Sequence, residues 1–144
     1  MSVDQIMQQV CQYPARHIII TGGEPVMQIT PTLTDALHQA GFYIHLETNG
    51  TLPLPEGVRI DWITCSPKQD TKIHIQRIDE LKQLYWGQKE VNTHKIPAKE
   101  YFLQPLDTGN RQQNEQITAK TIDYLLKHPE WKLSLQTHKI LNVR

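Results

Sequence analysis

The 144-residue sequence predicts an α/β fold built on a mostly parallel sheet, and three observations carry that expectation. Short apolar runs such as His17 to Ile20 and Ile60 to Cys65 are nearly continuous rather than alternating, as in strands covered on both faces. Segments with helical apolar spacing lie between several of these runs, giving the order βαβ…β…βαβ. The runs also end in polar clusters, and in open or barrel-like α/β sheets the chemistry collects at the C-terminal ends of strands.

Each element has a local cause. Ser2 can cap a first helix, in which Val3, Ile6, Met7 and Val10 recur at helical spacing before Pro14 stops it. His17 to Ile20 is a β-branched run cut short by Thr21-Gly22-Gly23, which reads as strand followed by tight loop. Leu33, Ala36, Leu37 and Ala40 share one face of a helix from Pro31 to Ala40, with Gly41 at the position of a C-cap. Phe42 to Leu46 is the next strand and Glu47-Thr48-Asn49-Gly50-Thr51 its polar turn. Pro53 and Pro55 keep the following segment irregular. Ile60 to Cys65 is a third strand, closed by Ser66-Pro67. Ile78 to Trp86 fits helix or strand, and Leu81 to Trp86 is read as strand. Gly87 to Lys99 is a loop. Tyr101 to Leu103 is a strand ending at Gln104-Pro105. Asn114 to His128 is a helix with Ile117, Ile122, Leu125 and Leu126 inward. Trp131 to Leu135 is the last strand, ending at Gln136-Thr137-His138.

Composition narrows the class. Apolar residues at 38% and charged residues at 21% are ordinary for a globular chain able to bury a core. Fifteen basic residues balance fifteen acidic ones, so net charge supplies no attraction to nucleic acid or to an anionic membrane. No apolar run approaches a membrane span, and Met1 to Gln9 lacks the pattern of a secretory signal, which predicts the cytoplasm. No repeat or low-complexity linker divides the sequence, so residues 1–144 are read as a single domain. Cys11 and Cys65 match no zinc or cluster spacing and are expected to be two partly buried thiols.

Thr21-Gly22-Gly23-Glu24-Pro25 is the sharpest motif. Two glycines after a strand permit a tight turn and let a ligand approach the main chain. Glu24 adds a carboxylate near exposed carbonyl groups, which suits an ammonium, and Pro25 restricts Glu24 to extended geometry. Gly-Gly is nonetheless common in plain strand-to-helix loops. Lys68 after Ser66-Pro67 fits either an anion site or a solvated surface, and Pro105 by itself explains a turn at Gln104 to Asp107. Asn49-Gly50 is a good turn dipeptide. The roles of Glu47 and His138 stay open on these grounds.

Ile-Thr-Gly-Gly-Glu-Pro after a strand resembles the Gly-Gly-Glu-Pro motif of radical S-adenosylmethionine proteins. With Glu47 to Thr51, Ser66 to Lys68, Gln104-Pro105 and the tail from Trp131 to Asn142, in this order, the sequence is similar to the 7-carboxy-7-deazaguanine synthase family. The likeness runs from Arg16 to Arg144 and is weakest between Gln69 and Lys99. It implies a partial (β/α) barrel of radical S-adenosylmethionine type, missing its first strand or strands. By position it implies that Thr21 contacts substrate and that Gly22, Gly23 and Glu24 hold the cofactor's methionyl amino end. Ser66, Pro67 and Lys68 become a second cofactor-contacting segment, where a hydroxyl and a cation suit ribose hydroxyls and a carboxylate. Gln104, Pro105, Leu106 and Asp107 become a third, around the adenosine, and the terminal carboxylate of Arg144 approaches the substrate.

In the family a 4Fe–4S cluster reduces S-adenosyl-L-methionine to a 5′-deoxyadenosyl radical, which abstracts hydrogen from 6-carboxy-5,6,7,8-tetrahydropterin. Ring contraction with loss of ammonia yields 7-carboxy-7-deazaguanine, on the way to queuosine in tRNA modification. The cluster needs three clustered cysteine thiolates. This sequence has two isolated ones. The expectation is therefore that neither the cluster nor the family's Mg2+ is ligated by this chain, that no catalytic residue lies in it, and that alone it does not turn over. Whether it is a fragment or a natural remnant is left open. A parallel sheet without its first strands is expected to expose an edge and an apolar seam. Partners implied are the pterin substrate and a second copy in a homodimer, with no direct nucleic acid and no membrane. Two alternatives stand beside this: a non-catalytic S-adenosylmethionine-binding or interaction module, and part of a radical enzyme that activates glycyl radicals.

Overall fold

Ser2 opens the first helix, α1 (Val3–Val10), through a reciprocal pair. Its hydroxyl accepts from the Gln5 N–H at 3.2 Å, while Gln5 Oε1 accepts from the Ser2 N–H at 2.8 Å. Two backbone donors that helix geometry leaves orphaned are thereby satisfied. The computed structural model describes residues 1–69 and 71–142, which group into two units, Met1–Asp79 and Glu80–Arg144.

In the first unit β1 (His17–Ile20), β2 (Tyr43–Thr48) and β3 (Trp62–Cys65) are parallel, with Ile18 beside Ile44 and Leu46 beside Ile63. A single 3₁₀ turn, Pro25–Met27, follows β1. Helix α2 (Pro31–Gln39) starts at Thr30, whose hydroxyl accepts from the Leu33 N–H, and packs on β2. The core lies between them: Leu37, Ile44, Leu46, Ile63 and Cys65 are at most 1% exposed. Burying each of the large apolar side chains contributes about 2 kcal/mol.

The opposite face departs from the expected double covering. Burial along β2 alternates, and Ile19 and Tyr43 remain 55% and 43% exposed. Period-two side chains place His17, Ile19, Tyr43 and His45 on one open face of β1 and β2, whereas in β3 consecutive residues Ile63, Thr64 and Cys65 are all buried. Among the described residues β1 pairs with β2 alone, which leaves the free sheet edge that was expected, with Ile19 exposed on the adjoining open face.

Asp61, just before β3, ties α2 to the sheet. Its Oδ2 accepts from the Ile44 N–H at 2.7 Å and meets His38 Nε2 of α2 at 3.0 Å. Partial burial pushes the carboxyl up, but the Ile44 and His38 hydrogen bonds and the nearby positive charge of His38 and Arg77 outweigh it and leave it below the ordinary value. A depressed carboxyl contributes stability that is complete above its unfolded value of about 3.9 and is lost as pH falls through the folded value. Asp61→Asn should therefore flatten the fall in urea-unfolding stability below about pH 4; a mutant curve parallel to wild type would contradict this.

In the second unit β4 (Glu80–Tyr85), β5 (Glu100–Pro105) and β6 (Trp131–Leu133) are parallel, with Leu103 opposite both Gln83 and Leu133. The ambiguous segment before Trp86 is thus a strand. Helix α3 (Arg111–Leu125) begins at its Asn110 cap, four residues earlier than apolar spacing indicated, and packs on β5 and β6. Its inward face also differs. Ile117 and Thr121 are buried, whereas Ile122 and Leu126 are 44% and 79% exposed. Positions four apart share a helix face, and Thr121 is buried without penalty because its hydroxyl donates to the Ile117 carbonyl at 2.8 Å. A short helix, α4 (Thr137–Leu141), occupies the tail where only a strand end was read.

Candidate functional site

The tips of β1, β2 and β3 converge. Thr21, Gly22 and Gly23 after β1, Glu47, Thr48 and Asn49 at the end of β2, and Ser66 and Lys68 after β3 line one open cavity of about 150 Å³. Cofactor pockets usually exceed roughly 300 Å³. This cavity therefore fits an amino-acid-sized group rather than a whole nucleoside.

Its shape follows from the glycines. Gly22 sits at φ +140°, in the region that L side chains rarely adopt, and a Cβ built on Gly22 or Gly23 meets nothing within 4 Å. The loop thus presents bare main chain to open space, where a ligand can approach. Residues of both charge signs, Lys68 and Glu47, line the same cavity. Ser66 is held in place by its N–H, which donates to the Thr48 carbonyl at 2.8 Å.

Glu24 and Pro67 stand outside the lining. Pro67 is buried, and Glu24 turns inward, capping the 3₁₀ turn through the Val26 N–H and bonding Thr48 and Asn49. Thr48 was read within the polar turn Glu47 to Thr51, without a role of its own. Alternation along β2 puts it on the buried side with Ile44 and Leu46.

Gln104, Pro105, Leu106 and Asp107 come together in the second unit, lining a cavity of about 200 Å³ with Asn114, Thr118, Leu135, Gln136 and Lys139. Asp107 is occupied by structure: it accepts from the Gly109 N–H at 2.9 Å and Asn114 Nδ2 at 2.8 Å, and pairs with Lys139. The Lys139 hydrogen bond first, then those of Gly109 and Asn114, hold its carboxyl well below the usual carboxylate range. His138 is exposed in α4. Arg144 lies outside the described residues.

The two cysteines do not fit an iron–sulfur cluster. Cys11 is exposed on the surface rather than partly buried as expected, and Cys65 is fully buried. Burial, with the Glu24 carboxylate adding to it, pushes the Cys65 thiol up to about 12, far from the thiolate a metal requires. Among the described residues no group of three or more His, Cys, Asp and Glu side chains is placed to hold a metal ion. No helix among them is long and apolar enough to cross a membrane.

No protein-family model matches the chain. Individual proteins do. A 7-carboxy-7-deazaguanine synthase of Bacteroides thetaiotaomicron is 49% identical over 144 residues, which is 100% of this chain and 74% of that protein. One of Bradyrhizobium diazoefficiens is 45% identical over 131 residues, covering 90% of this chain and 60% of the relative. The crystal structure of QueE from Escherichia coli superposes with a TM-score of 0.68 at 26% identity, over 94% of this chain and 64% of that one. The parallel α/β fold and its radical S-adenosylmethionine type agree with that neighbour. The present chain spans between three fifths and three quarters of the length of these relatives, and over that span it belongs to the 7-carboxy-7-deazaguanine synthase family.

Proposed function

We propose that this chain binds S-adenosyl-L-methionine by its methionyl end at the tips of β1 to β3. It contributes that site to conversion of 6-carboxy-5,6,7,8-tetrahydropterin into 7-carboxy-7-deazaguanine and ammonia, a step toward queuosine. The observation that carries this is that Gly22, Gly23, Ser66 and Lys68 line one cavity of amino-acid size. The names of the relatives support the reaction.

Each lining group has a task in that reading. Lys68 attracts the methionyl carboxylate as a donor-only point charge, and Glu47 complements the ammonium. Gly22 and Gly23 let the ligand lie against backbone, and Thr21 extends the same wall toward the substrate. The cofactor, when bound, supplies the hydrogen-abstracting chemistry, while the protein contributes orientation and shielding. The cluster is not assigned to any side chain described here.

Calorimetry with S-adenosyl-L-methionine tests the proposal. Gly23→Val should weaken binding at least ~30-fold while leaving the thermal midpoint nearly unchanged, because the added atoms project into the empty cavity rather than into protein. Lys68→Ala should cost about tenfold and reduce the dependence of affinity on salt, since Lys68 is exposed. Absence of any detectable binding by the unaltered chain would overturn the proposal and leave an interaction module.

A further inference from the structure

Glu24 belongs to the glycine motif, yet its carboxylate is engaged away from the cavity. Oε1 accepts from the Val26 N–H at 3.2 Å and from the Thr48 hydroxyl at 2.7 Å, and Oε2 accepts from the Asn49 N–H at 2.8 Å. A carboxylate offers about four acceptor positions, and three are filled from within the protein. Thr48 is only 4% exposed, and its Oγ1 also accepts from the Gly50 N–H at 3.0 Å. One hydroxyl therefore sits between two loops, donating to the loop that follows β1 and accepting from the turn that follows β2.

We propose that Thr48 and Glu24 form a strap of positioning residues that holds the Gly22-Gly23 loop against the Asn49-Gly50 turn and so sets the width of the ligand cavity. This rests on reading that cavity as the S-adenosylmethionine site. The residue types match the task. Threonine is the smallest strand-compatible side chain that donates and accepts from one atom, and valine has its shape with neither function. The Thr48 end of the interaction is buried and the Glu24 end partly so, and burial makes each hydrogen bond to a charged group stronger and each missing partner more costly. Thr21, Gly22 and Gly23 themselves are exposed, so the Glu24 anchor compensates for the freedom of a loop that must keep its main chain bare.

The test uses the whole chain in two measurements, amide hydrogen exchange without ligand and calorimetry with S-adenosyl-L-methionine. In the unaltered chain the amides of Val26, Asn49 and Gly50 should exchange far more slowly than those of an open turn. Thr48→Val should speed exchange at Asn49 and Gly50 at least ~10-fold and weaken binding about tenfold. Thr48→Ser, which restores the hydroxyl, should return both quantities to within about threefold of the unaltered chain. Glu24→Gln places an amide NH₂ against one of the three donors and should speed exchange at Asn49 as well. Wild-type affinity in Thr48→Val, or Thr48→Ser as weak as Thr48→Val, overturns the strap. If Thr48→Val does not fold, Glu24→Gln with unaltered Asn49 exchange and affinity overturns it. If the unaltered chain binds no S-adenosyl-L-methionine, the functional reading fails, and unchanged exchange in Thr48→Val then overturns the strap separately.

Discussion

Gly50→Ala is expected to destabilise the chain by about 3 kcal/mol, seen as a lower urea midpoint at unchanged slope. Two costs combine. Gly50 has φ +76°, where a Cβ costs about 1 kcal/mol. That Cβ would also lie 2.5 Å from Cys65 Sγ and 3.3 Å from two carbons of Ile73, so a packed region must move, at about 1–3 kcal/mol. The Gly50 carbonyl accepts from the His74 and Ile75 N–H groups, so the displacement is carried into that segment. The steric part is separable. Adding Cys65→Ala removes the sulfur that the new methyl meets, and the double mutant should recover at least ~1 kcal/mol relative to the sum of the single changes. A loss below 1 kcal/mol in Gly50→Ala, or strict additivity with Cys65→Ala, would show that the turn adjusts more freely than its packing indicates.

Asp79→Ala should cost about the same, roughly 3 kcal/mol, by a different route. Asp79 is 1% exposed, and its Oδ2 accepts from the Ile63 N–H at 3.0 Å and from Arg77 Nη2 at 2.8 Å. The Ile63 residue is itself 1% exposed, so deleting the carboxylate leaves a β3 donor without that acceptor in a place water does not reach. Arg77 is 58% exposed on its side chain and can be solvated when its partner is lost. Arg77→Ala takes that cation from the buried Asp79 carboxylate but leaves the Ile63 N–H, and should cost less than Asp79→Ala, about 1–2 kcal/mol. Equal losses in the two variants would place the energy in the ion pair and not in the backbone acceptor. Asp79→Asn keeps an acceptor of the same shape and should fall between them.

Local chemistry made several elements legible in advance. The Ser2 cap and Pro14 bounded α1, and Pro31 with Gly41 bounded α2, because caps and breakers act within one helical turn. The order of strands followed from β-branched runs closed by Gly or Pro. Burial was less legible. Nearly continuous apolar runs led to strands expected to be covered on both faces, but Ile19 is exposed, since sequence periodicity cannot say whether a second layer exists to cover a face. The same limit explains α3, where a small threonine faces inward and two larger residues do not.

The motif glycines stood out by residue type and place after a strand, whereas Ser66 and Lys68 gained a role only through the family resemblance, and the relatives' names agree with that family. Residue type does not, however, state which way a carboxylate points. Glu24 reads as a ligand group in the linear motif, and it became a structural acceptor only when β2 brought Thr48 and Asn49 to it from 24 and 25 positions away. Local sequence thus determined where strands end and which chemistry stands at their tips, because turns and caps depend on near neighbours. Tertiary structure alone decided which tips share a cavity and which polar groups are used up internally, because hydrogen bonds between distant segments exist only once the sheet has formed.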